Sequence, residues 1–134
     1  METRGIRNHN PLNIRKGNNW QGEHPTDTDA EFEVFVNDAY GFRAAFRIIH
    51  NGFKATPRRN TIRKIIQRWA PPSDGNDTEN YIAIVSKRAR IHPDTALSYS
   101  DMPRMVDIVK AMAFVETGKE YDERVIINGY HLEK

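Results

Sequence analysis

The sequence predicts an α+β domain that is mainly helical, with a small antiparallel β-ribbon near the N-terminus followed by five to six short helices. Two extended pieces with strand composition precede residue 37, and beyond it apolar residues recur at helical spacing. The chain has the length of one domain, and we find neither an internal repeat nor a long linker. We therefore expect a single domain over 1–134, with a ribbon region at 8–36 and a helical region at 37–128.

The ribbon region is rich in glycine and asparagine and contains two extended pieces. Residues 12–15 alternate between apolar and polar side chains, and residues 32–36 have the composition of a strand. We expect these two pieces to pair antiparallel, with the polar segment 23–31 between them as a long loop.

Each predicted helix combines an apolar stripe with a residue that favours a helix end. Pro71 and Pro72 end the second helix, and Gly118 ends the fifth. The predicted helices are 38–53 capped by Asn37 or Asp38, 61–69 with Thr61, 77–89 with Asp77 or Thr78, 93–97 beginning at Pro93, 101–117 with Ser100, and 122–127 with Asp122.

Several chemistries lack their residues or spacing. The chain has no cysteine, so thiolate ligands and disulfides are impossible. The five histidines show no metal-ligand spacing, the serines lie in no nucleophile elbow, and no glycine-rich phosphate loop exists. We expect neither a metal nor another cofactor.

Basic residues cluster although the net charge is only +2. The cluster lies in the stretch 54–68 and consists of Lys54, Arg58, Arg59, Arg63, Lys64 and Arg68. Such a cluster is either a solvated helix face or a surface for a polyanion, so a nucleic-acid-binding protein remains an alternative.

The N-terminus has no apolar core of the signal-peptide type, and no stretch approaches the ~18 apolar residues of a membrane span. We expect no signal peptide and no membrane insertion.

Glu116 occupies an unusual position for a carboxylate. It continues the apolar stripe of Met105, Val109 and Met112 at the last turn of the predicted helix 101–117. Burial and the negative end of the helix dipole both raise a carboxyl pKa. A carboxylic acid that stays protonated near neutral pH is what a glycosidase needs to protonate a leaving oxygen. The alternative is that the stripe ends one turn earlier and Glu116 lies in water.

Three segments resemble known families. Ile108 to Gly118, with Glu116-Thr-Gly at its end, resembles the helix of lytic transglycosylases that ends in a catalytic Glu. Thr78 to Val85 resembles the segment in which the same enzymes place a cleft tyrosine, here Tyr81. The opening 4–15, with Trp20, Gly22 and the later Gly41-Phe-Arg-Ala and Arg68-Trp-Ala-Pro-Pro, is similar to small phage virion proteins of the lysozyme-like superfamily.

The resemblance implies a lysozyme-like domain that acts on peptidoglycan glycan strands, with Glu116 as general acid. In lytic transglycosylases the Glu helix precedes the strands, whereas here it follows the predicted ribbon, so the order would be circularly permuted. A phage protein of this class is made in the bacterial cytoplasm without a signal peptide. It is then virion-associated or phage-delivered to the cell wall, with other virion proteins as possible partners.

The predicted sugar-binding residues are amides and aromatics, because a hexose offers hydroxyls and apolar C–H faces. Besides Tyr81, they are Asn8, Asn10, Asn13, Arg15 and Trp20. For the asparagines the alternative is turn chemistry. We expect Trp20, flanked by polar residues and glycine, to be exposed and Trp69, which continues an isoleucine stripe, to be in the core.

A second carboxylate would separate a muramidase from a lytic transglycosylase, in which the sugar's own 6-hydroxyl attacks. The candidates in or beside the ribbon are Glu23, Asp27, Asp29, Glu31 and Glu33. The sequence does not distinguish the two mechanisms. The first alternative to an enzyme is a structural virion protein that kept the fold without the activity, and the second is the nucleic-acid-binding protein.

Overall fold

The computed structural model describes residues 2–26 and 28–134. Within these ranges the chain forms six α-helices and one 3₁₀ turn at Pro72–Asp74. The helices are α1 Arg4–Arg7, α2 Asp38–Lys54, α3 Ile62–Trp69, α4 Thr78–Ala89, α5 Met102–Thr117 and α6 Glu123–Leu132. In the described ranges, no helix is both long and apolar enough to cross a bilayer.

Helix α2 contributes eight buried residues to the core. It packs most extensively against α6, while α5 packs against both α4 and α6. Phe42, Phe46 and Met112 are among the largest fully buried side chains. Because the hydrophobic contribution grows with buried apolar area, this assembly of α2, α4, α5 and α6 provides most of the stabilisation.

The side chains that begin the helices confirm most of the predicted caps. Asn37, Thr61, Asp77 and Asp122 each accept a hydrogen bond from a backbone N–H in the first turn. The exception is α5, which Asp101 caps instead of Ser100.

The predicted β-ribbon is wrong, and with it the α+β lysozyme-like fold class. No strand forms in 2–26 or 28–134, and the fold of the described residues is helical. The only trace of pairing found there is two isolated antiparallel bridges, Arg15 with Phe32 and Glu23 with Phe35.

Backbone hydrogen bonds flank the two bridges, and side chains bind other backbone groups of this region. The amide of Asn10 donates to the Ile14 carbonyl at 2.9 Å and accepts from the Ile14 N–H at 2.9 Å. Asp29 accepts from the N–H groups of Glu31 and Phe32 at 2.9 and 3.0 Å. Asn13 adopts a left-handed conformation with φ of 53°, which interrupts the first extended piece. Asn and Asp favour such local bonds over ladders, so the alternating pattern gave the wrong result.

Three helix predictions also need correction. Residues 93–97 contain only a turn, although a helix was predicted there. Helix α1 was not predicted, since four residues carry no periodic signal. The last helix continues to Leu132, five residues beyond its predicted end.

Gly129 allows α2 and α6 to approach closely. A Cβ at this position would lie 2.5 Å from Cβ of Phe42 and 2.9 Å from the Ala39 carbonyl oxygen. Neither atom belongs to a flexible side-chain end, so the helices would have to separate.

We therefore expect Gly129→Ala to lower the free energy of unfolding by about 1–3 kcal/mol, the usual cost of overpacking. Asn128→Ala, at the exposed neighbouring position of the same helix, is the matched control and should be close to neutral. Urea unfolding of the two variants checks this, and an equally stable Gly129→Ala protein would contradict the close contact.

Candidate functional site

Glu116 lies in the last turn of α5, partly buried, and two side chains hold its carboxylate. Nδ2 of Asn13 donates to Oε1 at 2.9 Å, and the Tyr81 hydroxyl donates to Oε2 at 2.9 Å. The same Asn13 amide also lies 3.3 Å from the Glu116 carbonyl oxygen at the end of the helix. The structure thus brings together Glu116, Tyr81 and Asn13, which the sequence places 35 and 103 residues apart.

Burial raises the pKa of Glu116 above its ordinary value of 4.5, and the hydrogen bonds from Asn13 and Tyr81 lower it in part. The carboxyl group is therefore a stronger proton acceptor than a solvated glutamate. A raised pKa favours the protonated form, which a general acid needs in order to donate a proton to an acceptor.

Tyr81 reaches Glu116 from the buried face of α4. Burial first, and the nearby Glu116 carboxylate second, raise the pKa of the Tyr81 hydroxyl well above 10.0. The hydroxyl therefore stays protonated and acts only as a donor to the carboxylate.

Asn13 is aimed at Glu116 by the fold of the N-terminal loop. Its left-handed backbone is one that asparagine tolerates better than most residues. Gly5 of α1 packs directly against it. A Cβ on Gly5 would lie 2.9 Å from Asn13 Oδ1 and 2.9 Å from Cγ2 of Thr117, the residue after Glu116.

A cavity of about 290 Å³ opens next to Asn13. Trp20 and Trp69 line it together with Arg15, Arg68 and five other residues. Trp20 is partly buried, where the sequence predicted exposure, and its indole N–H is buried with no hydrogen-bond partner among the described residues. Trp69 is half-buried against the core, and its Nε1 lies 3.4 Å from the Leu12 carbonyl oxygen. The cavity offers aromatic rings and hydrogen-bonding groups, the chemistry that suits a carbohydrate.

Glu116 itself does not line this cavity. Asn13 connects the two, because it lines the cavity and donates to the carboxylate. Arg15 also borders the cavity; its guanidinium lies over the Phe32 ring at 4.8 Å and forms a long ion pair with Glu31.

Asn8 and Asn10 do not reach the cavity. Both are buried, and Asn10 has no exposed surface. Asn8 donates to Asp29 at 2.9 Å, while Asn10 binds the main chain of Ile14 and the Glu33 carbonyl. These two predicted sugar ligands thus have internal partners, which agrees with the turn-chemistry alternative.

The described candidates for a second carboxylate belong to the segment that precedes α2. Backbone and side-chain hydrogen bonds from Glu31, Asn8 and Phe32 hold the pKa of Asp29 at about 2, so it belongs to the loop framework. Glu33 is buried and lines, with Glu23, a separate open depression near residues 16–19. The Glu31 carboxylate forms an exposed ion pair with Arg15, and Asp27 lies outside the described residues.

Acidic residues neutralise part of the basic surface. Arg63 pairs with Asp94 at 2.8 Å and with Glu79 at 3.2 Å, and Arg88 pairs with Glu120 at 2.9 Å. In residues 2–26 and 28–134, no three His, Cys, Asp or Glu side chains are placed to hold a metal ion.

The fold and the site define a small helical domain with a partly buried carboxyl group beside a tryptophan-lined cavity. No family model matches the chain. The chain is 39% identical over 127 residues to Protein P5 of Pseudoalteromonas phage PM2. The aligned region covers 90% of this chain and 76% of that protein. The chain belongs to the same family as this phage protein.

The raised pKa of Glu116 has a consequence for stability. A carboxyl whose pKa is higher in the folded than in the unfolded state binds more protons when folded, so stability falls as the pH rises from the unfolded to the folded pKa. Above that window, ionised Glu116 destabilises the fold relative to a neutral residue.

We expect Glu116→Gln to be at least as stable as the parent at neutral pH, with the difference in its favour shrinking as the pH falls from the raised folded pKa towards about 4.5. Urea unfolding at several pH values measures this. The control is Glu120→Gln, which removes an exposed carboxylate shortly after Glu116 in the chain and should show no such trend. A parent protein that gains stability relative to Glu116→Gln as the pH rises would contradict the raised pKa.

Proposed function

We propose that this phage-family protein cleaves the MurNAc–GlcNAc linkage of peptidoglycan, with Glu116 as general acid. The observation that carries the proposal is the partly buried Glu116 carboxyl, which accepts hydrogen bonds from Tyr81 and from Asn13, and Asn13 also lines the tryptophan-lined cavity. The resemblance of the segment ending at Glu116-Thr-Gly to lytic transglycosylases supports the same role. The proposal depends on this site and not on the absent ribbon.

In this mechanism a glycan strand lies in the cavity against Trp20, and Arg15 and Asn13 bind its polar groups. Glu116 transfers its proton to the glycosidic oxygen as the bond to the anomeric carbon breaks. The donors Asn13 and Tyr81 then stabilise the carboxylate that remains. When the sugar's own 6-hydroxyl attacks the anomeric carbon, its proton passes to the Glu116 carboxylate and an anhydro product forms. When water attacks instead, its proton passes to the same carboxylate and the product has a reducing end.

The second candidate is a non-catalytic virion protein. It is favoured by the position of Glu116, which lies behind Asn13 and not on the cavity wall. In either case the membership in a phage protein family supports virion association and virion proteins as partners.

Glu116→Gln keeps the size of the side chain and removes the transferable proton. Because a general acid contributes about 10²–10⁴-fold to rate, we expect at least ~100-fold less clearing of purified cell wall. The matched control Glu120→Gln should clear as the parent does. Full activity of Glu116→Gln would exclude Glu116 as the acid, and a parent that clears nothing would favour the non-catalytic virion protein.

Tyr81→Phe tests the electrostatics of the same site. Loss of the hydroxyl removes a hydrogen bond that lowers the pKa of Glu116, so that pKa should rise further. A general acid loses activity as the pH rises through its pKa, so the alkaline limb of the pH–rate profile should move to higher pH. An unchanged limb would show that another group is the acid.

A further inference from the structure

A second and larger cavity, of about 520 Å³, lies between the ends of α2 and α6 and the segment 97–100. Its volume falls in the range of about 300–1,000 Å³ that is usual for small-molecule sites. It shares no lining residue with the tryptophan-lined cavity. The proposed reaction at Glu116 does not use it.

The lining combines an apolar floor with a cationic rim. The floor consists of Phe53, Leu97, Tyr99 and Tyr130, of which all but Tyr99 are buried. The rim contains Lys54, Arg58 and Lys134.

The aromatic rings of the floor are already packed against one another. The His50 ring stacks on Tyr99 at 3.8 Å with an interplanar angle of 1°, and the Tyr130 ring lies at 5.2 Å and 25°. Because Tyr99 has these two stacking partners, it offers no open platform for a nucleobase, which single-stranded nucleic acids require. An aliphatic group needs only apolar contact, which the floor provides.

The charges of the cavity leave a net positive rim. Glu133 is buried, but from the side of α2 Arg47 forms an ion pair with its carboxylate at 3.6 Å, and Nδ1 of His50 lies within hydrogen-bond distance at 2.7 Å. Lys54, Arg58 and Lys134 form no ion pair with a carboxylate of residues 2–26 or 28–134. Nε of Arg58 donates to the Phe53 carbonyl oxygen at 3.0 Å, which fixes the guanidinium beside the floor.

We propose that this cavity binds an aliphatic anion, a molecule with an alkyl chain and a carboxylate or phosphate head. The chain lies against Phe53, Leu97 and Tyr130. The head binds Arg58 and Lys54, neither of which forms an ion pair with a carboxylate of the described residues, and the two terminal nitrogens of Arg58 can donate parallel hydrogen bonds to it.

Titration calorimetry with octanoate, octyl phosphate, octylamine and octanol tests the proposal on the whole chain. We expect saturable one-to-one binding of the two anions only. Affinity for the carboxylates should rise about threefold for each methylene from butanoate to octanoate, because each buried methylene adds apolar area. Equal binding of octylamine or octanol, or no dependence on chain length, would overturn the proposal.

A pair of charge reversals provides the matched control. Lys54→Glu at the end of α2 should weaken octanoate binding about tenfold, while Lys87→Glu in the last turn of α4 should leave it unchanged. Equal weakening by both would show attraction by overall charge only and would overturn the site. The proposal does not depend on activity at Glu116, so an inactive protein that binds octanoate still supports it.

Discussion

The buried side chain of Asn10 is the constraint on which the candidate site depends. Its amide closes a loop on Ile14 through both the N–H and the carbonyl, and it also binds the Glu33 carbonyl of the returning segment. A buried amide that lost these partners would leave several polar groups unsatisfied, at about 1–3 kcal/mol each. The same loop holds Asn13 in its left-handed conformation and directs its side chain to Glu116. Gly41 on α2 completes the arrangement, because a Cβ there would overlap the His9 carbonyl.

The helices could be predicted because their signals are local. Thr61 and Asp77 stand immediately before helices whose apolar residues recur at helical spacing, and each makes the expected cap. The segment before residue 37 has no such local rule. Its alternation at 12–15 suggested a strand, but the side chains of Asn10 and Asp29 compete for the backbone groups that a ladder needs. Contacts between distant parts of the chain decide whether a strand ladder or these side-chain hydrogen bonds form.

The candidate site was partly predictable for the same reason. Helical spacing placed Glu116 on the stripe of Met112, and the resemblance indicated Tyr81; the structure joins the two by a hydrogen bond. Asn8, Asn10 and Asn13 look alike in sequence, yet only Asn13 touches Glu116. Nothing local separates them, since the difference arises from Gly5 and from the packing of α1 against α5. Arg68 also lines the cavity, but the sequence indicated it only as part of a basic stretch. The fold brings Arg68 and Trp20 to the same cavity, and no local pattern predicts this.

The energetics of Glu116 bear on the choice between a catalytic and a purely structural role. A partly buried carboxylate is costly, and the donors Asn13 and Tyr81 offset only part of that cost, since its pKa remains raised. A glutamine would fit nearly the same space without the charge, and it could accept from Asn13 while donating to the Tyr81 oxygen. For structure alone the ionisable group is therefore the less stable choice. Sites that store such a cost are found where chemistry needs a perturbed pKa, although structural networks also produce them. The position of Glu116 behind Asn13 adds a geometric requirement, because proton transfer to a glycan in the cavity needs the Asn13 side chain to turn aside or to share the glycosidic oxygen. Asn13 is thus the residue whose movement would connect the acid to the cavity.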